Sequence, residues 1–164
     1  MKHLWAPWRI NYILLKKEKK ERGCIFCRFS KDKKNDEKNF VVFRAEKNFV
    51  VLNNYPYNNG HLMVAPYRHI KNLEDMSMEE LNEHFLIVRK SVEVLKKVYN
   101  PHGFNIGINL GKTAGAGVEN HIHTHIVPRW LGDTNFMPVI SDTKVIPEAL
   151  TETYRKLKEA WSKK

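Results

Sequence analysis

The chain has 164 residues, of which 42% are hydrophobic and 11% aromatic, a composition that suits one globular domain whose core needs no disulfide. It contains no apolar stretch of about 18 residues and no N-terminal apolar segment like that of a signal peptide, which argues against a membrane span and against secretion. We therefore expect a cytoplasmic protein. The formal net charge of +10 would attract polyanions such as nucleotides or nucleic acid, although each lysine run taken alone is more typical of a solvated surface.

The first third of the chain predicts a short helix or arm followed by a β-hairpin. Pro7 suits the first turn of a helix, and we expect this N-terminal segment to end by Gly23. Two β-rich runs within residues 40–53 lie on either side of residues 46–48, which is typical of a hairpin. Three further strands are predicted, and the five strands run mostly in meander order. The three are residues 61–66, 104–110 and 121–127.

Two helices are predicted to pack on this sheet. Ser77 and Glu80 form a capping-box pattern at the start of the first helix. Apolar residues then recur at helical spacing and predict one face for the sheet: Leu81, Phe85, Val88, Val92, Leu95 and Tyr99. His84 falls in the polar part of that helix, where we expect it to be solvated. A last helix from about Pro147 places one apolar stripe on the core: Leu150, Tyr154, Leu157 and Trp161. The elements predict an α+β fold with an antiparallel sheet.

The segment NHIHTHIVPRW, residues 120–130, carries the clearest chemical signal. Alternate side chains of a strand share one face, so His121, His123 and His125 should project from the same side, roughly 6–7 Å apart. Three buried imidazoles would each need a polar partner, which argues against a purely structural row. The row is therefore a set of metal ligands or a set of acid, base and nucleophile. A third imidazole on a flat strand reaches poorly around a tetrahedral metal, which favours catalysis.

This segment resembles the His-φ-His-φ-His-φ-φ motif of the histidine triad (HIT) superfamily of nucleotide hydrolases and transferases. Thr124 is a less apolar residue at one of the φ positions. The sequence VLNNYPYNNGHLMVAPYRHI, residues 51–70, resembles the nucleotide-binding hairpin of the same superfamily. The resemblance runs from about Cys24 to Trp130 and implies a HIT-like fold with a five-stranded antiparallel sheet and one main packed helix.

Both ends of the chain are similar to one branch of that superfamily, the branch that contains diadenosine tetraphosphate phosphorylases. The similar stretches are LWAPWR near the N-terminus and VPRWLGDTNFMPVI after the histidines. With these ends included, nearly the whole chain resembles a single HIT domain. We expect an N-terminal arm or helix at residues 1–22, a core at 23–130 and a C-terminal extension with helical segments at 131–164.

The resemblance implies a role for each of several residues. His123 would be the nucleophile that attacks the α-phosphorus of a nucleotide and forms a nucleotidyl-histidine. His125 would donate a hydrogen bond to the phosphoryl group and help the leaving polyphosphate. The implied nucleotide- and phosphate-binding residues are Asn53 at the ribose, His61 beside it and Asn109. Two further candidates follow from their position next to the histidine strand. The glycine-rich turn of Gly115, Ala116 and Gly117 would cradle phosphates with its backbone N–H groups, and Trp130 would stack on a base or lie at a dimer interface, although single tryptophans are more often packing residues. Without the motif, Asn53, His61 and Asn109 are ordinary turn and strand-end residues.

The glycine-rich loop bears on the group that accepts the nucleotide. Hydrolase branches of the superfamily usually have Gly-Gln-Ser/Thr-Val shortly before the histidines, whereas this chain has Gly115-Ala116-Gly117-Val118. The missing glutamine and hydroxyl favour transfer to inorganic phosphate over hydrolysis, although the phosphorylase branch commonly has Gly-Gly-Ser there. The resemblance thus implies phosphorolysis of diadenosine tetraphosphate to ATP and ADP. Two alternatives stay open: a hydrolase of dinucleoside polyphosphates or adenosine phosphoramidates, and a non-catalytic nucleotide- or nucleic-acid-binding module.

The two cysteines form the motif GCIFC, residues 23–27. Cys-x-x-Cys is found in redox pairs, in halves of zinc sites and in small packed loops, and no thioredoxin-like βαβ unit follows here. Metal-bearing HIT relatives pair such cysteines with two histidines, which implies a structural zinc site: Cys24, Cys27, His69 and His121. The resemblance also implies a homodimer with a continuous sheet, in which Trp5 and Trp8 could contribute to the interface, and a nucleotide rather than a nucleic acid as the partner.

Overall fold

The computed structural model of the protein describes residues 23–141 and 143–163. The predicted N-terminal helix or arm, with Trp5 and Trp8, lies outside the described residues. The helices are α1 (Ile25–Lys31), α2 (Met78–Tyr99), α3 (Met137–Ser141) and α4 (Leu150–Ser162). The strands are β1 (Val41–Arg44), β2 (Asn48–Leu52), β3 (Leu62–Pro66), β4 (Gly103–Ile108) and β5 (Thr124–Arg129). Among the described helices, none has the length and apolar character needed to cross a bilayer.

The five strands form one antiparallel sheet in the order β1-β2-β3-β5-β4. The predicted meander holds for the first three strands. It also holds for β4 and β5, which pair with each other, and it fails only between β3 and β4. There α2 carries the chain across the sheet to the edge strand β4, so that β5 lies between β3 and β4. In this register His125 lies opposite Met63 on β3 and Gly107 on β4, and Thr124 lies opposite Val64 and Ile108.

Each face of the sheet has its own hydrophobic cluster, as the two-residue period of a strand requires. Val50, Leu62 and Val64 point to the face that α2 and α4 cover, where they meet Leu95 and Leu157. The alternate strand residues point to the opposite face, which α1 covers; this cluster comprises Phe26, Phe29, Val41, Phe49, Val51, Met63 and Ala65. Since His125 pairs with Met63, the histidine row lies on the α1 face, and Thr124 lies on the α2 face.

Helix α2 begins with the predicted capping box: Ser77 accepts a hydrogen bond from the backbone N–H of Glu80, and the Glu80 carboxylate accepts one from the backbone N–H of Ser77. The predicted buried face is partly wrong. Phe85 is half exposed, whereas His84 is buried. The packed side runs through His84, Ile87, Val88, Ser91, Val94 and Leu95. It accommodates polar residues because their hydrogen bonds are satisfied in place, as for Ser91, whose hydroxyl donates to the carbonyl oxygen of Ile87 at 2.8 Å.

The turn between β2 and β3 packs closely against α2. Gly60 has a φ of +73°, and a Cβ atom built on it would lie 3.1 Å from Leu95 Cδ2. Both the left-handed backbone and the close approach of the helix therefore require glycine here.

The C-terminal extension holds the same turn through side-chain hydrogen bonds. The amide of Asn58 donates to Asp133 Oδ2 at 2.8 Å and to the carbonyl oxygen of Pro128 at 3.0 Å. The carboxylate of Glu148 accepts hydrogen bonds from four side chains of the turn, of α2 and of α4: Asn59, Tyr99, Thr153 and Lys156. Helix α4 starts at Leu150, three residues after the predicted Pro147.

Candidate active site and metal centre

The three histidines lie along the start of the central strand β5. The strand was predicted to cover residues 121–127, but its ladder begins at Thr124. Before that point the chain is held by the backbone N–H of Ile122, which donates to the carbonyl oxygen of Ile70 at 2.8 Å. His121 and His123 are buried, and His125 is partly buried. Phe26 of α1 packs against the rings of His121 and His123, with centroid distances of 5.2 and 4.7 Å.

The ring of His123 has a defined orientation and a defined tautomer. Its Nδ1 lies 2.8 Å from the carbonyl oxygen of His121. A carbonyl oxygen only accepts, so Nδ1 carries the proton and donates it. In the neutral ring Nε2 then holds an unprotonated lone pair, which is the form of imidazole that acts as a nucleophile.

His125 has the opposite tautomer, because of its bond to His61. The backbone N–H of Tyr57 donates to Nδ1 of His61 at 3.1 Å, so the proton of His61 is on Nε2. That nitrogen lies 2.9 Å from Nδ1 of His125, which must accept. Nε2 of His125 therefore carries a proton that it can donate. Within one row, His123 presents a lone pair and His125 presents a donor.

Burial keeps these imidazoles neutral near pH 7. Together with repulsion from the neighbouring histidines, it lowers the pKa of His125 to about 4 and that of His61 to about 3. Burial also lowers the pKa of His123, although its bond to the His121 carbonyl opposes that effect. A charged ring would be costly in this apolar setting, and neutrality is what the tautomers described above require.

Asn53 and Tyr57 line the same region from the β2–β3 turn. The amide of Asn53 lies 3.4 Å from Nδ1 of His61, and its Oδ1 accepts a hydrogen bond from the backbone N–H of Tyr55 at 2.9 Å. The ring of Tyr57 stacks on His125, with a centroid distance of 5.7 Å and an interplanar angle of 28°, while 55% of the tyrosine remains exposed. The structure thus places His61 between Asn53 and His125, in contact with both.

The glycine-rich loop is closed largely on itself. The backbone N–H groups of Gly115 and Ala116 donate to carbonyl oxygens of Lys112 and Gly111, and the amide of Asn109 donates to the carbonyl oxygen of Gly115 at 3.4 Å. Two of the N–H groups expected to face phosphate are therefore engaged within the loop. Of the three loop residues singled out in the sequence, Gly117 alone has no N–H bond of this kind among those described.

Trp130 lies just beyond β5, where its position is set by a single carboxylate. Its backbone N–H donates to Asp133 Oδ2 at 3.1 Å, and the same carboxylate binds the guanidinium of Arg129 through two hydrogen bonds. Asp133 also accepts from Asn58 of the β2–β3 turn. The segment that carries Trp130 is in this way tied to the turn that carries Tyr57 and Asn53.

A separate cluster at the start of the row brings together four metal-ligating side chains from three parts of the chain: Cys24, Cys27, His69 and His121. Their ligand atoms all lie within 4.8 Å of one another. The Sγ atoms of Cys24 and Cys27 lie 3.3 and 3.6 Å from Nδ1 of His121, and Cys27 Sγ lies 3.2 Å from Nδ1 of His69. Zn–S bonds of about 2.3 Å and Zn–N bonds of about 2.0 Å place neighbouring ligand atoms of a tetrahedral site about 3.5 Å apart.

The second nitrogen of His121 is consistent with a ligand role for the first. Nε2 lies 2.9 Å from the carbonyl oxygen of Pro66, so it carries the proton, and Nδ1 directs a lone pair at the two thiols. Metal-ligating histidines usually donate their other N–H to such a carbonyl. Burial lowers the pKa of His121 to about 4, which keeps the ring neutral. The donor set and its distances therefore fit zinc.

Sequence reasoning missed three residues that shape the site: Phe26, Tyr57 and His84. Phe26 lies inside the Cys-x-x-Cys motif and Tyr57 inside the quoted hairpin, but only their ring contacts reveal what they do. His84 was predicted to be solvated. It is instead 1% exposed and hydrogen-bonded to Asn48 and Thr124. The signal in the sequence was Thr124 itself, because a polar residue at an apolar position of the motif indicates a polar partner on the α2 face of the sheet.

Comparison with known proteins agrees with the motif. A model of the HIT domain matches residues 34–130. A Mycobacterium tuberculosis protein named AP-4-A phosphorylase is 41% identical over 167 aligned positions, which cover 99% of this chain and 86% of the relative. The asymmetrical bis(5'-nucleosyl)-tetraphosphatase of Schizosaccharomyces pombe is 38% identical over 93 positions, covering 57% of this chain and 50% of that protein.

Solved structures agree as well. A zinc-bound histidine triad family protein from Mycobacterium smegmatis superposes with a TM-score of 0.67 at 26% identity, covering 85% of this chain and 94% of that one. The family model spans more than half of the chain, and the Mycobacterium tuberculosis relative spans nearly all of it. The chain belongs to the HIT domain family.

Proposed function

We propose that this protein is a nucleotidyltransferase that cleaves dinucleoside polyphosphates through a nucleotidyl-histidine intermediate. Its preferred reaction converts diadenosine tetraphosphate and inorganic phosphate to ATP and ADP. The observation that carries the proposal is the paired tautomers of the row, with a lone pair on His123 Nε2 and a proton on His125 Nε2. The substrate class is supported by the names of the relatives, a phosphorylase and a tetraphosphatase.

The reaction has two displacement steps. In the first step, His123 Nε2 attacks the α-phosphorus of one adenylyl group; a P–N bond forms, the P–O bond to the rest of the polyphosphate breaks, and ATP leaves. In the second step, an oxygen of inorganic phosphate attacks the same phosphorus; the P–N bond breaks, ADP forms and His123 is regenerated. Transfer of a phosphoryl group depends mainly on alignment and on donors around its oxygens. His125 Nε2–H supplies one such donor.

Analysis of the products tests this proposal. Purified protein is incubated with diadenosine tetraphosphate with and without inorganic phosphate, and the nucleotides are separated by anion-exchange chromatography. ATP and ADP that appear only with phosphate are the expected result. His123→Ala is the control, and its melting temperature must match that of the wild type for its loss of turnover to count.

The other outcomes identify the rival functions. ATP and AMP in equal amounts, with or without phosphate, would identify a hydrolase, the activity named in the Schizosaccharomyces pombe relative. The absence of turnover, together with salt-sensitive binding of nucleotide or nucleic acid that His123→Ala leaves unchanged, would identify a binding module. Either outcome contradicts phosphorolysis.

We propose that Cys24, Cys27, His69 and His121 hold a structural zinc ion. The proposal is supported by the distances among the four ligand atoms, by the bond from His121 Nε2–H to Pro66, and by the zinc-bound relative. The ion would supply a cross-link between α1, the end of β3 and the first histidine of the row. Metal analysis of purified protein should find one zinc per chain, and Cys24→Ser should lose it together with thermal stability. Stoichiometric zinc in Cys24→Ser would contradict this assignment.

We propose that the protein is a cytoplasmic homodimer. The support for the dimer is the edge strand β4, whose Ile106 is 47% exposed, and the half-exposed Phe85 and Leu86 on α2. An open edge with apolar side chains pairs readily with a second strand. Sedimentation equilibrium should give twice the chain mass for the wild type and a monomer for Ile106→Lys; a monomeric wild type would contradict the proposal.

A further inference from the structure

Two residues in this chain depart from what their positions lead one to expect, and the structure places them in contact. Thr124 occupies an apolar position of the motif, between His123 and His125. His84 occupies the buried side of α2, which packs on the sheet mainly through apolar residues. His84 Nε2 lies 2.7 Å from Thr124 Oγ1, and both residues are 1% exposed. Each polar residue is the partner that the other needs, since a buried polar group without one is costly.

The direction of this hydrogen bond is fixed by a neighbouring amide. The Nδ2 group of Asn48 donates to the carbonyl oxygen of Glu80 at 3.1 Å and to the Glu83 carboxylate at 2.9 Å. Oδ1 of Asn48 therefore faces Nδ1 of His84, 2.9 Å away, and that nitrogen carries the proton. Nε2 of the neutral ring is then an acceptor, and the hydroxyl of Thr124 donates to it.

The chain of hydrogen bonds continues into the β1–β2 hairpin. Besides binding Asn48, the Glu83 carboxylate accepts the backbone N–H groups of Glu46 and Lys47 at 3.0 and 2.8 Å. The path therefore runs from the hairpin turn through Glu83, Asn48 and His84 to Thr124, and every bond in it lies on the α2 side of the sheet. It reaches β5 on the face of the sheet opposite to the histidine row.

Thr124 is well placed to transmit this support. It is the first residue of the β5 ladder, and a β-branched side chain has few rotamers. Fixing its hydroxyl therefore fixes its χ1 angle and restrains its backbone. The residues on either side, His123 and His125, share that backbone and point to the opposite face.

We propose that His84 is a positioning residue, which acts through Thr124 to hold the backbone between His123 and His125. This backbone sets the direction of both imidazoles, so that His123 Nε2 faces the phosphorus and His125 Nε2–H faces an oxygen of the same phosphoryl group. The inference rests on the function proposed above. His84 touches neither histidine of the row nor the face that would bind substrate. Its effect should therefore fall on the chemical step rather than on binding, because a displacement of about 1 Å can cost about a hundredfold in rate.

A set of three substitutions at two positions tests the proposal. Thr124→Val keeps the shape of the side chain and removes the hydroxyl, Thr124→Ser keeps the hydroxyl, and His84→Phe removes the acceptor. With diadenosine tetraphosphate and phosphate as substrates, we expect kcat to fall by about tenfold or more in Thr124→Val and His84→Phe, with KM within about twofold of wild type. Thr124→Ser should retain most of kcat. The double variant His84→Phe/Thr124→Val should lose little more than either single variant, since both remove the same interaction.

Ser91→Ala is the matched control. Ser91 is a buried polar residue on the same face of α2, but its hydroxyl bonds only within the helix, to Ile87. Its loss should lower the melting temperature without lowering kcat at a temperature where the protein is folded. A Thr124→Val variant with the kcat of an active wild type would overturn this inference alone. A wild type without turnover on any dinucleoside polyphosphate would overturn the proposed function and this inference together.

Discussion

At the scale of single residues, the chemistry depends on which nitrogen of each imidazole carries a proton. His123 is oriented by a carbonyl and His125 by another imidazole, whose own tautomer is set by the backbone N–H of Tyr57. The sequence predicted which histidines form the row. It could not predict their tautomers, because the deciding partner of His125 is His61, 64 positions away in the chain.

If His125 acts as a hydrogen-bond donor, a donor side chain should replace it in part. We expect His125→Ala to lower kcat by about a hundredfold or more, which is the usual cost of removing one donor to a transition state. His125→Gln, whose amide can donate to the same oxygen, should recover about tenfold of that loss. Steady-state kinetics with saturating phosphate measure both. Equal kcat in the two variants would contradict the donor role.

Buried neutral histidines also make stability depend on pH. Burial lowers the pKa of His84 to about 4, against an ordinary value of 6.5, although the nearby Glu83 carboxylate opposes that shift. The unfolded chain therefore binds a proton at His84 before the folded protein does. The stability that neutral His84 provides is complete above about pH 6.5 and is lost as the pH falls toward 4.

Replacement of His84 by a residue that does not titrate should reduce this dependence. Urea unfolding of the wild type and of His84→Gln between pH 7.5 and 4.5 measures the slope of the unfolding free energy. We expect the slope below pH 6.5 to be smaller in His84→Gln by up to about 1.4 kcal/mol per pH unit, the value of one proton. The Ser91→Ala variant, which removes no titrating group, should keep the wild-type slope. Identical slopes in all three proteins would contradict a buried, neutral His84.

At the scale of secondary-structure elements, the sequence predicted the features that depend on neighbouring residues. It missed features that depend on contacts between distant parts of the chain. The capping box of Ser77 and Glu80 and the first hairpin are determined by neighbouring residues, and both are where the sequence predicts them. The buried face of α2 was predicted correctly at Val88 and Leu95 but wrongly at Phe85 and His84, since adjacent helix positions differ by about 100° and Phe85 outweighed His84 in the pattern. Burial of His84 depends on Asn48 and Thr124, which come from two different strands.

The C-terminal extension stabilises the turn that carries Asn53 and Tyr57, and Glu148 is the centre of that contact. Burial alone would raise the pKa of this carboxyl, but hydrogen bonds from Lys156, Tyr99 and Thr153 outweigh it and lower the pKa to about 2. We expect Glu148→Gln to reduce the free energy of unfolding by about 1–3 kcal/mol, because hydrogen bonds to a charged acceptor are lost. Chemical denaturation measures this loss.

The same helix provides the control for that substitution. Glu152 of α4 forms an exposed ion pair with Arg155, and Glu152→Gln should change the unfolding free energy by less than about 0.5 kcal/mol. Since the turn lies beside the row, Glu148→Gln should also raise KM for diadenosine tetraphosphate. Equal effects of the two substitutions would mean that the extension does not support the turn.

At the scale of the whole molecule, the two faces of the sheet carry different sets of residues. One face, covered by α1, carries the histidine row and the Cys/His cluster; the other, covered by α2 and α4, carries the main core and the hydrogen-bonded path to Thr124. The α+β class and the number of strands followed from periodicity. The strand order did not, because placing β5 between β3 and β4 depends on long-range pairing that local patterns do not encode.

The central claim is that His123 becomes covalently nucleotidylated, and mass spectrometry of the protein tests it most directly. Wild-type protein is mixed with diadenosine tetraphosphate in phosphate-free buffer, quenched in alkali to preserve a phosphoramidate, and analysed intact and after proteolysis. We predict one adenylyl group per active site, located on the peptide that contains His123, and its disappearance with formation of ADP when phosphate is added before the quench. Turnover to ATP and ADP without such an adduct, or an adduct on any other residue, would contradict the account.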